Sequence, residues 1–341
     1  MFETLINTSA SDIRGGKGPA ANLFVNTIPK PVPAAGEALV KIKAFGLNRM
    51  DLLQREGMYP VPPKAPSTLG VEFSGVIKSL GGGDCLDFNV GDEVFGLAYG
   101  GAYAEYISSS VQTLLHKPVE LSWVEAAGIP ETWFTAAQAM YLVAQFEPGK
   151  SILWHAGASA VSISGIQLSK ADNASSIYIT AGSQEKIDFC VSTLGATAGF
   201  NYKTQDWAAE VKKATGGRGV DVIIDFVGAS YFQGNLDAAA LDGRIANLAF
   251  LGGTKLPAGV DISAFLRKRL RYEGSSLRSR DSAYQRQLRD LLLNRAMPKF
   301  KDGTFKVYIE EVFPFEKVVD AHLLLESNQT KGKIICTIGE D

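Results

Sequence analysis

The stretch Ile152-Leu-Trp-His-Ala-Gly-Ala-Ser-Ala-Val-Ser162 decides the fold of this chain, because an apolar run ends in small residues and leads into a segment with helical spacing. In such a strand-turn-helix, small side chains let the backbone approach a phosphate, and free N–H groups at the helix start favour an anion. The spacing is that of G-x-G-x-x-G, although only Gly157 is glycine and Ser159 and Ser162 fill the other two positions. The stretch therefore predicts the turn that holds a dinucleotide pyrophosphate.

Strand-like runs recur after the predicted helix at 160–171. They lie at 176–180, 220–225 and 244–248, and further helical segments separate them. Continuous Val/Ile-rich runs suit strands that are buried on both faces of a parallel sheet. The pattern predicts βαβ units and favours a ligand-binding sheet over an α/β core that binds nothing.

Length and composition point to a globular protein of two domains. The chain has 341 residues, of which 46% are hydrophobic, which is more than one ordinary domain needs. A net charge of −2 gives no bulk attraction to nucleic acid or to an anionic membrane. The basic run at 267–271 is interpreted as a solvated helix end at a domain junction, not as a nucleic-acid patch.

Three cysteines, Cys85, Cys190 and Cys336, are odd in number and far apart, which argues against a disulfide framework and for a reducing compartment. The segment 1–7 lacks the basic and apolar regions of a signal peptide. No apolar run reaches the roughly 20 residues needed to span a bilayer. A cytoplasmic location without a membrane segment is expected.

The two ends of the chain share β character. Residues 38–45 alternate apolar and polar side chains, and 75–80, 91–97 and 102–107 are further predicted strands of a small barrel-like domain. A helix is predicted from 122 to about 144, and the tail contains strands at 307–312 and 333–338 around a helix at 315–326. One domain is therefore interrupted by another, with predicted boundaries 1–125, 126–276 and 277–341.

Motifs along nearly the whole chain resemble those of the zinc-independent medium-chain dehydrogenases/reductases, in their quinone oxidoreductase branch. They occur in the family's order: NRMD (48–51), GMYP (57–60), LGVEFSG (69–75), VGDEV (90–94), GGAYAE (100–105), PETWFT (130–135), HAGAS (155–159), TAGSQ (180–184), LGATAGFNYK (194–203), LDGR (241–244) and LRSRD (277–281).

The resemblance implies a GroES-like β-barrel-type domain built from both ends and a central Rossmann domain with a doubly wound parallel sheet. It also implies a cleft between them for NADPH and substrate, and a homodimer formed through the cofactor domains. The family usually has glycine where this chain has Ala160 and Ser162. Each side chain is therefore expected to stand where the pyrophosphate approaches. Weaker cofactor binding and a turn that already accommodates the pyrophosphate are the two alternatives.

The turn after the second strand of the nucleotide domain predicts the choice of cofactor. An acidic residue there would hydrogen-bond the ribose of NAD and repel a 2′-phosphate, but 181–184 is neutral. Lys186 can supply positive charge and Ser183 a hydrogen bond, and the resemblance assigns the 2′-phosphate to Lys186 and Tyr202. NADPH is expected over NADH, with Glu185 arguing the other way and a merely solvated Lys186 as the alternative.

Ligands for a catalytic zinc are missing from the sequence. Zinc-dependent relatives use cysteine and histidine ligands, whereas this chain has Asn48, Gly70-Val-Glu72 and scattered cysteines. No metal site is expected. His116 and His322 are interpreted as structural, and His155 as a residue that sets the conformation of the phosphate turn.

Without zinc, the acceptor must need little electrophilic activation, and quinones satisfy this condition. Tyr59 is the candidate to line the acceptor site or to donate a hydrogen bond to a quinone oxygen, and Asn48 is the second catalytic candidate. Packing alone for Tyr59, and helix capping for Asn48, are the alternatives. The cofactor-binding residues that the resemblance and the fingerprint imply are Asn48, Thr135, Gly157, Ser159, Ala160, Val161, Gly182, Ser183, Lys186, Tyr202, Phe226, Val227, Gly228, Ala249, Phe250, Leu251, Leu277 and Lys333. For Phe226 and Lys333, the alternatives are a core residue and an exposed strand lysine.

Three functions therefore remain open. The first is an NADPH-dependent quinone reductase, and the second is an enoyl or alkenal reductase of the same superfamily. The third is a cofactor-binding protein with a regulatory, RNA-binding or structural role and little turnover.

Overall fold

The chain divides into two units. The computed structural model describes residues 9–14, 17–59, 61–62 and 65–339. The first unit combines the residues up to Glu131 with those from Arg278 onward, and the second unit is Thr132–Leu277. The fold of each unit follows from the burial pattern of its strands.

The first unit is built on a seven-stranded sheet. Its N-terminal part contains β1 (Ser9–Arg14), β2 (Phe24–Pro29), β3 (Glu37–Gly46), α1 (Arg49–Arg55), β4 (Glu72–Leu80), β5 (Glu93–Leu97), β6 (Tyr106–Ser110), β7 (Leu114–His116), α2 (Trp123–Ala127) and the start of α3 (Pro130–Ala137). Strands β1 and β2 form a separate antiparallel pair. In the larger sheet β3 is almost wholly buried, with Val40, Ile42 and Phe45 in the core, so both faces of this strand are covered.

The second unit contains a six-stranded sheet in which every neighbouring pair is parallel. Its elements are β8 (Ser151–Trp154), α4 (Ala160–Ala171), β9 (Ser176–Ala181), α5 (Gln184–Asp188), β10 (Ala198–Asn201), α6 (Trp207–Ala214), β11 (Val220–Asp225), α7 (Phe232–Ala238), β12 (Ala239–Asn247), α8 (Ala264–Lys268) and β13 (Arg271–Gly274). The strand order β10-β9-β8-β11-β12-β13 is that of a doubly wound nucleotide-binding sheet, whose order reverses between β8 and β11. The predicted Rossmann fold class is confirmed.

The return segment completes the first unit with α9 (Ser282–Arg295), α10 (Met297–Lys301), β14 (Ile309–Pro314), α11 (Val318–Glu326) and β15 (Lys333–Thr337). Strand β15 pairs with β3, with Ile335 opposite Gly46, and β14 lies parallel to β15. The sheet order is β14-β15-β3-β4-β5-β7, with β6 also paired to β3. Strand β15 therefore lies beside the strand that leads to α1.

Several predicted strands differ from the structure in their end residues, such as 244–248, which is Ala239–Asn247, and 307–312, which is Ile309–Pro314. Two predicted elements differ in kind. The strand expected at 102–107 is Tyr106–Ser110, because the consecutive residues Ala102, Tyr103 and Ala104 are all buried in an irregular segment. The helix expected at 122–144 is divided: α2 ends before Gly128 and α3 begins at Pro130. Proline lacks the N–H that a continuing helix needs, but it fits the first turn of a new one.

Close packing of α4 on β8 depends on Gly165. A Cβ atom at this position would overlap the indole ring of Trp154, which is fully buried and donates from Nε1 to Ser169 Oγ at 3.0 Å. Gly165 thus provides the close helix–strand contact that the third glycine of the fingerprint usually provides, three residues beyond Ser162.

We predict that Gly165→Ala lowers the stability of the protein. Overpacking typically costs about 1–3 kcal/mol, which exceeds the roughly 1 kcal/mol that alanine gains over glycine in a helix. Gly274→Ala in β13 is the matched control, because a Cβ there meets no atom within 4 Å. The urea midpoint should fall only for Gly165→Ala, and an unchanged midpoint would contradict the packing argument.

Candidate active site

The turn between β8 and α4 is held by backbone contacts that require small residues. Gly157 N donates to Thr180 O at 2.8 Å, and a Cβ on Gly157 would lie 2.6 Å from the Cβ of Ile179. Ser159 caps α4 by accepting a hydrogen bond from Ser162 N at 3.4 Å. The half-buried residues Ser159, Ala160 and Val161 therefore begin a twelve-residue helix immediately after the turn.

Ser162 does not stand where the sequence analysis expected its side chain. It is fully buried, and its hydroxyl donates to His155 O at 2.8 Å while it accepts from Ser159 Oγ at 3.1 Å. The hydroxyl is used inside the turn, so the expectation that it stands in the path of the pyrophosphate is wrong. Ala160, in contrast, is half-buried at the first helical position.

A buried polar network lies beneath this turn. His155 Nδ1 is 2.9 Å from Thr180 Oγ1, and His155 Nε2 is 2.7 Å from Asn235 Oδ1. The Nδ2 group of Asn235 donates to Asp225 Oδ2 at 3.1 Å, so Asn235 Oδ1 is an acceptor and the proton of neutral His155 is on Nε2. Burial lowers the pKa of His155, and the neighbouring Asp225 opposes this shift. The network fixes the last residue before the turn in the neutral state.

Asp225 also organises the loop after β11. Its Oδ1 atom accepts from Val227 N at 2.7 Å and from Gly228 N at 3.2 Å. Gly228 has φ +81°, and a Cβ there would lie 2.5 Å from Phe250 Cδ1. Leu251 N donates to Phe226 O at 3.1 Å. The structure thus brings the two predicted segments 226–228 and 249–251 together, with Phe226 buried and Phe250 and Leu251 exposed.

The turn after β9 gathers the residues expected to select the cofactor. Ser183 caps α5 by accepting from Lys186 N at 3.4 Å. A Cβ on Gly182 would lie 2.7 Å from Tyr202 Oη and 3.1 Å from Lys203 Cε. The sequence analysis identified Tyr202 but missed Lys203, although it directly follows Tyr202 in the LGATAGFNYK motif. The Tyr202 hydroxyl and the Lys203 side chain therefore lie close to Gly182.

Two further expected cofactor residues, Thr135 and Leu277, belong to the second unit but lie outside these turns. Thr135 is half-buried on α3, and Leu277 is the last residue of the unit and is buried.

In the first unit, Asn48 is held by a buried ion pair between Lys333 and Glu72. Lys333 Nζ contacts Glu72 Oε1 and also donates to Leu47 O at 2.8 Å and to Asn48 Oδ1 at 3.0 Å. Asn48 Nδ2 donates to Glu72 Oε1 at 2.8 Å. Lys333 is not the exposed strand lysine of the alternative interpretation, since its side chain is 3% exposed. All three of its N–H groups have acceptors here, so its role in this arrangement is to position Asn48.

Glu72 is the central residue of this cluster, and the sequence analysis considered it only as a missing zinc ligand. Its Oε2 atom accepts from Glu131 N at 2.8 Å, so both carboxylate oxygens have donors. A Cβ on Gly46 would overlap Oε1, so the glycine that ends β3 makes room for the carboxylate. In the described part of the chain, no group of three or more His, Cys, Asp or Glu side chains is arranged to hold a metal ion.

A second buried chain of hydrogen bonds fixes α1. Asp51 Oδ2 accepts from Asn48 N at 2.8 Å and from Tyr103 Oη at 3.2 Å. Tyr103 Oη lies 3.2 Å from His322 Nε2, and His322 Nδ1 lies 3.2 Å from Arg55 Nη1. Because arginine only donates, His322 Nδ1 accepts and Nε2 carries the proton. Asn48 therefore caps α1 as well as contacting Glu72.

The groups in this chain have strongly shifted pKa values. Burial raises the pKa of Asp51 to about 6, against hydrogen bonding from Asn48 and the charge of Lys333. Burial, and then the nearby Arg55 charge, lower the pKa of His322 to about 3. His322 is thus neutral at physiological pH.

Tyr59, the candidate acceptor residue, is half-buried in the loop after α1; Pro60 of its GMYP motif lies outside the described residues. Burial and the charges of Glu131 and Asp51 raise the pKa of its phenol, and Arg278 opposes the shift. Burial and the neighbouring Glu72 raise the pKa of Glu131 to about 8. Tyr59 therefore keeps its proton at neutral pH and can donate it in a hydrogen bond.

We predict that the Lys333–Glu72 pair is strongly coupled. Lys333→Met leaves a buried carboxylate without its ammonium and should cost about 3–5 kcal/mol, and Glu72→Gln should also destabilise. The double variant should recover a large part of the loss, because no buried charge lacks a partner. Unfolding of the four proteins by urea measures the coupling, with the exposed-pair variant Asp242→Asn as a control that should leave the midpoint nearly unchanged. Simple additivity of the two single losses would contradict the coupling.

We also predict that His322 makes the protein less stable in acid. The histidine pKa is about 6.5 in an unfolded chain and about 3 in the fold, so unfolding takes up a proton between these values. This contribution is complete above pH 6.5 and is lost as the pH falls towards 3. Between pH 7 and pH 5, the unfolding free energy of the wild type should fall by about 2 kcal/mol more than that of His322→Gln. Asp51 and Glu131 change the unfolding free energy in the opposite direction with pH, but both residues are present in both proteins. Parallel pH profiles of the two proteins would therefore show that His322 does not titrate this way.

No described helix is long and apolar enough to cross a membrane.

Comparison with known proteins identifies both units. Residues 34–119 match the model "Alcohol dehydrogenase GroES-like domain", and residues 160–294 match "Zinc-binding dehydrogenase". The GroES-like part of the predicted fold is thereby confirmed.

Among curated relatives, "Quinone oxidoreductase-like protein 2" of Rattus norvegicus is 31% identical over 91% of this chain and 87% of its own length. The "Synaptic vesicle membrane protein VAT-1 homolog" of Danio rerio is 29% identical over 90% of this chain, which spans 65% of that relative.

Solved structures agree with this assignment. A crystal structure of an NAD-dependent alcohol dehydrogenase has a TM-score of 0.83 at 30% identity and covers 97% of this chain and 100% of its own. The apo form of JamJ enoyl reductase has a TM-score of 0.84 at 26% identity and covers 97% of this chain and 99% of its own. With domain matches in both units and relatives along almost the whole sequence, this chain belongs to the quinone oxidoreductase branch of the medium-chain dehydrogenase/reductase superfamily.

Proposed function

We propose that this oxidoreductase uses NADPH to reduce quinone-type acceptors without a metal ion. The observation that carries the proposal is the neutral turn 181–184 after β9, which has Lys203 beside it and Lys186 in the helix that follows. In the first unit, the central carboxylate of Glu72 is already paired with the Lys333 ammonium. The superfamily binds a nicotinamide cofactor. What we propose beyond this is that the cofactor is NADPH and that the acceptor is a quinone.

The second unit has the features that a dinucleotide needs. Gly157 lets the turn approach Ile179 closely, and the capped N-terminus of α4 follows this turn at the carboxyl end of β8. In a doubly wound sheet the pyrophosphate binds at such a turn, near the point where the strand order reverses. Ala160 and Ser162 replace glycines that the family usually has. The Ser162 side chain is directed inward, so only Ala160 lies at the half-exposed start of the helix.

A 2′-phosphate suits the surroundings of Gly182. Ser183 Oγ, Tyr202 Oη and the Lys203 side chain lie around this glycine, and Lys186 follows in the first turn of α5. A phosphate there would gain charge-assisted hydrogen bonds, whereas no acidic side chain occupies 181–184 to bind the ribose diol of NADH. Glu185 is exposed on α5, and we propose that it points to solvent and not to the ribose.

Bound NADPH supplies a hydride, and the quinone then becomes a resonance-stabilised hydroquinone anion that takes a proton from water. The chain's task is to position the reactants and to stabilise the new negative charge. We propose that the protonated Tyr59 phenol donates a hydrogen bond to the acceptor oxygen. Asn48, held by Glu72 and Lys333, and Thr135 are proposed contacts of the nicotinamide, and no residue is required to activate an alcohol.

Enoyl or alkenal reduction is the second candidate, and the similarity to JamJ enoyl reductase favours it. The same hydride would attack an activated C=C bond, and the charge would again develop on the carbonyl oxygen. A non-catalytic, cofactor-binding role in regulation, RNA binding or structure was suggested by the crowded phosphate turn. It has less support now that Ser162 is seen to be buried.

We also propose a cytoplasmic homodimer. The three free cysteines Cys85, Cys190 and Cys336 suit a reducing compartment. Dimerisation through the cofactor domains rests on the family resemblance, and sedimentation of the purified chain tests it.

We predict that NADPH binds at least several-fold more tightly than NADH. Lys186→Ala and Lys203→Ala should each weaken NADPH binding by about ten-fold or more, the effect of losing one charge-assisted hydrogen bond, and should leave NADH binding unchanged. Lys301→Ala, on α10 of the first unit, is the matched control. Calorimetric titration gives the affinities, and equal affinity of the wild type for both cofactors would overturn the assignment.

We predict a higher kcat/KM for quinones than for enals. Oxidation of NADPH is followed by absorbance with a panel of 1,2- and 1,4-quinones and a panel of alkyl and aryl enals. Tyr59→Phe should lower kcat with quinones while the affinity for NADPH stays unchanged. Higher kcat/KM values for enals would establish the second candidate, and cofactor binding without turnover of either panel would establish the non-catalytic role.

A further inference from the structure

Arg278 opens the return segment and has one unused hydrogen-bond donor. Its side chain is 6% exposed, so it is almost wholly enclosed. The Nε atom donates to Tyr99 O at 2.6 Å, and Nη1 donates to Gln54 Oε1 at 2.7 Å. These two contacts fix the plane of the guanidinium group between the loop after β5 and helix α1.

The third nitrogen, Nη2, is buried and has no hydrogen-bond partner among the residues that the structure describes. Within the same residues Arg278 makes no ion pair either; burial lowers the pKa of its guanidinium, and Tyr59, Asp51 and Glu131 oppose that shift only through their charges. A buried cationic donor without a partner costs free energy, because the water it has lost is not replaced. Such a donor in a fixed orientation points to a ligand.

Tyr59 and Gly100 lie next to the Arg278 guanidinium. The Tyr59 ring centroid lies 5.6 Å from Arg278 Cζ. A Cβ on Gly100 would lie 3.1 Å from Nη2, so glycine at this position keeps the nitrogen uncrowded. The neighbours of Tyr59 on its N-terminal side, Gly57 and Met58, are exposed. The Arg278 guanidinium and the Tyr59 ring, which carries a second hydrogen-bond donor, are thus neighbours in the first unit.

We propose that Arg278 Nη2 binds the acceptor oxygen on which negative charge develops, which makes the site selective for acceptors that yield a phenolate or enolate. The inference rests on the proposed function, because it concerns the acceptor of the same reaction. The acceptor gains the hydride and its two electrons from the cofactor, its C=O double bond becomes a single bond, and the electron pair ends on oxygen. Arg278 stabilises this oxyanion until water supplies the proton.

The raised pKa values of the neighbouring acids fit this role. With a pKa of about 8, Glu131 is mostly protonated at neutral pH and does not neutralise the guanidinium. Asp51 has a pKa of about 6, and its Oδ2 atom already accepts hydrogen bonds from Asn48 N and Tyr103 Oη. Arg278 is therefore left as the charge available to an oxyanion.

The test uses 4-nitrophenol, a mimic of the phenolate product whose ionisation is visible in its absorption spectrum. We expect the wild-type protein to bind the phenolate in preference to the phenol, so that the pKa of the bound probe falls. Arg278→Gln should weaken phenolate binding by about ten-fold or more and abolish that pKa shift. Arg280→Gln is the matched control, and it should retain both the affinity and the shift.

A second variant keeps the inference testable if Arg278→Gln does not fold. Gly100→Ala leaves the arginine in place but puts a Cβ 3.1 Å from Nη2 and 3.3 Å from the Pro66 ring, at a φ of +157°, so its urea midpoint is measured first. The folded variant should also reduce phenolate binding and the spectral shift. Both variants should lower kcat/KM for quinones with NADPH affinity unchanged. A bound probe whose pKa is the same in wild type, Arg278→Gln and Gly100→Ala would overturn the inference.

The two proposals fail in different ways. A protein that reduces quinones but shows no dependence of phenolate binding on Arg278 refutes the role of Arg278 alone. A protein that binds phenolate through Arg278 but turns over no quinone refutes the proposed reaction and leaves the oxyanion site standing.

Discussion

The buried ion pair between Lys333 and Glu72 is the interaction on which the first unit depends. It joins the first residue of β15, near the end of the chain, to the first residue of β4. The pair is almost completely removed from water, so it is favourable only if every donor and acceptor is satisfied. The Lys333 ammonium meets this condition by donating to Leu47 O and Asn48 Oδ1, and the Glu72 carboxylate by accepting from Asn48 Nδ2 and Glu131 N. The return of the chain after the second unit therefore places the ammonium that holds Asn48.

The second unit fixes its turns in the same way, with buried polar side chains whose hydrogen bonds are directed inward. Asp225 accepts hydrogen bonds from Val227 N and Gly228 N. Asn235 links Asp225 to His155, because its side chain is hydrogen-bonded to both residues. Ser162 adds a bond to His155 O. These contacts bring the loops after β8 and β11 to defined positions at the carboxyl edge of the sheet, where a doubly wound fold binds its ligand. Because Gly157 and Gly182 have no side chain, Ile179 and Tyr202 can approach these turns closely.

The sequence predicted the features that local pattern determines. Apolar runs identified β8, β9, β11 and α4, because parallel strands buried on both faces have few polar residues. Pattern alone misplaced the segment around Tyr103, whose burial depends on distant partners, Asp51 and His322. It also predicted one helix where Pro130 starts a second one.

Residues that act through partners far away in the sequence were harder to predict. Glu72 and Lys333 are 261 positions apart, and Arg278 reaches Gln54 across 224. No sequence periodicity links such pairs. The sequence alone therefore allows Lys333 to be an exposed strand residue, and it gives no sign that Glu72 has a special role. Ser162 shows the converse: a substitution that looks obstructive in the sequence is accommodated because its hydroxyl finds a carbonyl inside the turn.

We propose that this oxidoreductase needs no metal ion, because the Lys333 ammonium already pairs with the Glu72 carboxylate and only cofactor and acceptor take part in the reaction. The direct measurement is quinone-dependent oxidation of NADPH before and after exhaustive chelation, with the metal content determined on the same samples. We expect equal kcat and KM in the treated and untreated protein, and no gain on adding zinc. Activity that disappears on chelation and returns with zinc would contradict it.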